Sequence, residues 1–92
     1  MTESELEIDA IGNKRWYNKP SQGSSQKHRV GGPAVETHSV KAYYIDGQRH
    51  RLDGPAVEWT DGLKDWWVNG RRMTREEFDK HPLVVFWRLS KG

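Results

Sequence analysis

Ninety-two residues suffice for one domain with a modest core and exclude a deep catalytic cleft between lobes. Hydrophobic residues make up 34% of the chain and charged residues 30%. Ten aromatics, five of them Trp, concentrate the apolar area in a few large rings and exclude disorder throughout. The net charge of +2 hides an asymmetry: residues 1–13 carry Glu3, Glu5, Glu7 and Asp9 with no base, and the rest hold 15 Lys and Arg against 9 acids, a net of +6 that suits an acidic partner or nucleic acid.

The absence of cysteine excludes disulfides, zinc-thiolate sites and thiol nucleophiles, and fits a reducing compartment. No apolar run approaches the roughly 20 residues of a membrane helix, and the acidic N-terminus is unlike a signal peptide. The expectation is a cytoplasmic chain with no membrane partner.

In chain order, the acidic segment 1–13 is followed by a repeat over 14–70. His28-Arg29 recurs as His50-Arg51, and Gly32-Pro33-Ala34-Val35-Glu36 recurs as Gly54-Pro55-Ala56-Val57-Glu58, both at a spacing of 22 residues. Aromatic doublets precede these blocks: Trp16-Tyr17, Tyr43-Tyr44 and Trp66-Trp67. The first copy is lengthened by the Pro-, Ser- and Gly-rich stretch 20–26, a loop by composition. The third copy stops after Gly70, where Met73-Thr74 replaces His-Arg.

Asp46-Gly47, Asp61-Gly62 and Asn69-Gly70 are hairpin dipeptides, which predicts strands over 14–18, 34–38, 41–46, 56–60 and 63–69. Pro33 and Pro55 belong at strand starts, because proline cannot donate to a ladder. Thr74-Arg75-Glu76-Glu77 fits a capping box opening a helix over 75–81 that stops at Pro82. Residues 83–89 read as strand or helix, and the spacing of Leu83, Phe86 and Trp87 favours a second short helix. The fold class is therefore mostly β with minor α: one domain over 1–92, an antiparallel meander of about five or six strands, and a helical cap over 71–92.

The repeated block in Tyr43–Gly62 resembles short repeats of uncharacterised bacteriophage proteins. It is also similar to the variant form of the membrane occupation and recognition nexus (MORN) repeat. The resemblance covers Trp16 to Gly70, and the Thr-x-x-Glu helix that follows looks like that of the phage proteins. It implies a meandering sheet, a mobile-element origin and a binding scaffold. Phage chains of this size are often inhibitors of host machinery, anti-CRISPR proteins among them, and similar repeats occur in chains described as antitoxins.

Side chains alternate along a strand, so each doublet puts one ring on each face. Tyr43 with Ile45, and Trp66 with Val68, are expected in the core. Tyr17, Tyr44 and Trp67 form a stripe on the other face, either packed beneath the C-terminal segment, which two-sided burial favours, or open as a binding surface. Arg49, Arg51, Arg71, Arg72 and Arg75 follow the second and third turns and would form a cationic patch if those turns stack. With the stripe they are the candidate partner-binding residues.

A recurring His-Arg pair points to a fold-holding role, His donating to a neighbouring backbone carbonyl and Arg pairing with Glu36 or Glu58, since a catalytic group is needed once. His28, His38, His50 and His81 lack close ligand spacing, so no metal is expected. No activated serine or phosphate-binding loop is apparent, so neither an enzyme, a cofactor nor a small-molecule substrate is expected. The expected partner is a host protein or ribonucleoprotein complex, with possible RNA contact. Direct nucleic-acid binding and an antitoxin-type or structural scaffold are the alternatives.

Overall fold

The computed structural model describes residues 5–18 and 26–91. Most of the composition-predicted loop, 20–25, lies outside the described residues, as does the start of the acidic segment. Nine strands and two helices follow in order: β1 Glu5–Ile8, β2 Lys14–Tyr17, β3 Val35–Glu36, β4 Val40–Ala42, β5 Tyr44–Ile45, β6 Gln48–Arg49, β7 Val57–Trp59, β8 Lys64–Val68, β9 Arg71–Met73, α1 Arg75–Lys80 and α2 Pro82–Lys91. The protein is mostly β and antiparallel, as expected, with a seven-stranded sheet ordered β1-β2-β3-β4-β7-β8-β9 and a β5-β6 hairpin.

The expected strand over 41–46 is broken at Tyr43, and the break explains the architecture. Tyr43 donates its N–H to the Ala56 carbonyl and accepts at its own carbonyl from His50 N–H. Trp16 does the same one copy earlier, with Ala34 and His28. Each doublet is thus the point where a long strand exchanges one partner for another. On one side lie the short Val-Glu strands β3 and β7, paired in register with β2, β4 and β8. On the other side Tyr17 faces Lys27 across an isolated bridge, and tight hairpins set Tyr44 opposite Arg49 and Trp67 opposite Arg72.

Successive hairpins are stitched by the backbone. Arg29 N–H bonds Tyr44 carbonyl and Gly47 N–H bonds Lys27 carbonyl, and the pattern returns as Arg51 to Trp67 and Gly70 to Arg49. The turns Asp46-Gly47 and Asn69-Gly70 hold both central residues at positive φ, the conformation that matches strand twist in two-residue hairpins.

Three strands were missed by the sequence reading. The acidic segment contains β1, whose Glu-Leu-Glu-Ile alternation pairs along all of β2. β9 belongs to the sheet rather than to the helical cap. β6 is the short return arm after Asp46-Gly47, too polar to signal a strand by itself.

The helices form as the sequence predicts. Thr74 caps α1, its hydroxyl accepting from Glu77 N–H at 3.1 Å while Glu77 accepts from Thr74 N–H at 2.9 Å. Pro82 ends α1 and begins α2, because a missing N–H costs nothing at a first helical position. Phe78 of α1 and Val84 of α2 join Val68 as a buried cluster, with Leu52, Trp66 and Met73 packed around it. Trp66 meets Phe78 at 6.5 Å between ring centroids. The helices therefore cover the Trp66/Val68 face.

Candidate functional site: a ladder of rings and cations

Because α1 and α2 cover the Trp66 face, the alternation of side chains leaves Trp67 on the opposite one. The expectation that Tyr17, Tyr44 and Trp67 pack beneath the C-terminal segment is overturned on this geometry. All three rings are half-buried, and the neighbours that face them lie across the same antiparallel pairings.

Those neighbours are basic. Across the stacked hairpins the order of facing residues is Tyr17, Lys27, Tyr44, Arg49, Trp67, Arg72, a strict alternation of ring and cation. Lys27 Nζ lies 5.3 Å from the Tyr44 ring centroid, and the Arg49 guanidinium lies 5.5 Å from Tyr44 and 5.0 Å from Trp67. Arg49 thus lies against two rings at once, a contact that holds a cation to a π face. At the usual strand spacing of about 4.8 Å, cations on every second strand of such a stack would stand about 10 Å apart. Arg72 is 67% exposed and anchored to Asp65 at 2.8 Å. Trp67 Nε1 is buried with no hydrogen-bond partner among the described residues.

The five predicted arginines divide. Arg49 and Arg72 join the stripe. Arg71 is exposed and lies with Met73 on the helix-covered side, beside Glu77. Arg75 pairs with Asp79 at 4.0 Å and lies 5.8 Å from the Trp66 ring. Arg51 points into the opposite face, stacked 4.0 Å from the Tyr43 ring and bonded to Asp53, Glu58 and the Pro55 carbonyl. The single patch expected from chain order is thus distributed over both faces. Lys27 was missed, because it sits beside a loop of irregular length and only the hairpin pairing brings it to the stripe.

The recurring histidines hold the turns, but as acceptors. His28 Nδ1 accepts from Asp46 N–H, and His50 Nδ1 accepts from Asn69 N–H, each at 2.9 Å. Burial lowers the His50 pKa below the ordinary histidine range, with His81 nearby adding to the effect. Among the described residues no three His, Asp or Glu side chains converge as metal ligands.

A scan against protein-family models and searches of curated proteins and of solved structures return no match for this chain.

Proposed function

We propose that this chain is a non-enzymatic binding protein that docks the ladder face onto an acidic surface of a macromolecular complex and occludes it. The observation that carries this reading is the alternation Tyr17, Lys27, Tyr44, Arg49, Trp67, Arg72 on the face left open by the helices. Aromatic and arginine side chains dominate interface hot spots, and here Arg49 is held in place by its two rings before any partner arrives. A spacing of about 10 Å matches every seventh residue of an acidic helix, or every third residue of a polyproline-II segment.

Direct nucleic-acid binding is the second reading, favoured by the row of cations. Base stacking needs free ring faces, however, and Tyr44 has Lys27 and Arg49 within reach of its ring. A protein surface is the better fit. The narrower form of the proposal follows from the repeat's resemblance: a phage-encoded inhibitor acting in the host cytoplasm by steric occlusion, with a CRISPR ribonucleoprotein as the leading target.

The test is affinity capture from a CRISPR-bearing bacterial lysate with the wild-type chain and with Arg49→Glu, each with and without nuclease. The expected result is one protein complex that survives nuclease and high salt and is lost with Arg49→Glu. Recovery of nucleic acid alone, lost in salt, replaces the proposal with the second reading. Equal recovery by both baits removes the ladder from the site.

A further inference from the structure

The two complete repeat copies hold their arginines in the same way. Arg29 lies 3.9 Å from the Trp16 ring centroid and Arg51 lies 4.0 Å from that of Tyr43. Arg29 donates to the Pro33 carbonyl at 3.2 Å, and Arg51 to the Pro55 carbonyl at 3.0 Å. A Cβ on Gly32 would stand 2.9 Å from Arg29 Cζ, and one on Gly54 would stand 3.1 Å from Arg51 Cζ. The two guanidiniums occupy equivalent places.

Their carboxylates are not equivalent. Arg51 Nε donates to Asp53 at 2.8 Å, and its terminal nitrogen donates to Glu58. In the first copy Gly31 stands where Asp53 stands in the second, and Glu36, which corresponds to Glu58, makes no ion pair with Arg29. Among the described residues no carboxylate pairs with Arg29. A Cβ at Gly31 would meet nothing within 4 Å, so the space is open. Arg29 lines a cavity of about 450 Å³ together with Arg51, His50 and Lys91, and its one acid, Asp53, is already bound to Arg51.

We infer that Arg29 is the centre of a carboxylate-binding site, filled by an acidic side chain of a protein partner as Asp53 fills the same place on Arg51. A guanidinium fork on a ring is rigid and matches a planar carboxylate. Arg29 stacks on Trp16 and belongs to the face opposite the ladder, so this site stands or falls independently of the proposed function.

The experiment is a titration of the isotope-labelled chain with sodium acetate and, separately, with inorganic phosphate, following arginine Nε–Hε and the Gly31 and Gly32 amide signals by NMR. Arg29, Gly31 and Gly32 should shift saturably with acetate, while Arg51, already paired, stays still. Gly31→Asp supplies the missing carboxylate within the chain and should abolish the response; aspartate is one of the few residues that tolerates the positive φ of 86° there. Arg29→Lys keeps the charge, removes the fork and should abolish saturation of the glycine shifts, which decides the matter if Gly31→Asp does not fold. Equal shifts at Arg29 and Arg51, no shift at either, or an Arg29→Lys response like the wild type would overturn the site. A shift with phosphate and none with acetate would overturn its assignment to carboxylate.

Discussion

Gly32 and Gly54 are small because an arginine lies directly over each of them. The guanidinium of Arg51 lies 4.0 Å from the Tyr43 ring centroid and is bonded to Asp53 and Glu58, and a Gly54 Cβ would stand 3.1 Å from its Cζ, so it would have to shift against contacts that hold it. Gly54→Ala and Gly32→Ala should each destabilise the protein by about 1–3 kcal/mol, the usual cost of overpacking, read from urea unfolding midpoints. A loss confined to the few tenths typical of an exposed site would mean that the arginines are free to move. His50 makes a second prediction at this scale. Its Nδ1 must be unprotonated to accept from Asn69, and burial followed by the influence of His81 lowers its pKa in the fold. A lowered histidine pKa means that the unfolded chain takes up the proton first. The stabilisation is therefore complete above the unfolded value of about 6.5 and is lost as pH falls through it towards the folded value. Thermal melting should drop between pH 7.5 and 5.5, and His50→Asn should flatten that slope. An unchanged slope would place the titration elsewhere.

Among the elements, α1 shows how local and tertiary forces combine. Six residues are too few for a helix to persist alone. The capping box supplies part of what is missing, and Phe78, 1% exposed, supplies the rest by packing on Trp66 and Val68. Thr74→Ala should cost about 1 kcal/mol and Phe78→Ala about 3–5 kcal/mol in chemical denaturation. The reverse order would show that the cap, not the packing, holds the helix. The strands teach a related lesson. The Asp-Gly and Asn-Gly turns, the helix cap and the helical spacing after Pro82 are local signals, and each element they mark is present. β1, β6 and β9 are weakly marked in their own residues, since four or fewer polar-rich residues become strands only through the partners that accept their backbone bonds, β6 and β9 as return arms of the turns before them. The break at Tyr43 is silent in the sequence. Its residues favour a strand on both sides, and only the change of hydrogen-bonding partner divides it.

For the whole molecule, the third copy lacks the His-Arg pair, and the helices take over the closing role. Met73 stands across from Trp66 where His28 and His50 stand across from Trp16 and Tyr43, and α1 and α2 lie over that end of the sheet. Repeat arrays need such caps, because the last unit otherwise exposes the face its neighbour would cover. A chain ending after Met73 should lose its cooperative thermal transition and bind a hydrophobic dye, as Leu52, Trp66 and Val68 become exposed. Retention of a sharp transition would show that the hairpin stack is self-sufficient.

The sequence by itself determined the repeat, its antiparallel turns, the caps of the first helix and which rings share a face, because these depend on residues close in the chain and on side-chain alternation. Only the tertiary structure decided which face the helices cover, since both faces carry rings and nothing local distinguishes them. It also decided that Lys27 joins the stripe, that the five arginines part company, and that Arg29 lacks the carboxylate Arg51 holds. Each of these depends on what the stacking of one hairpin on the next brings within a few ångströms, and composition and spacing do not encode that distance.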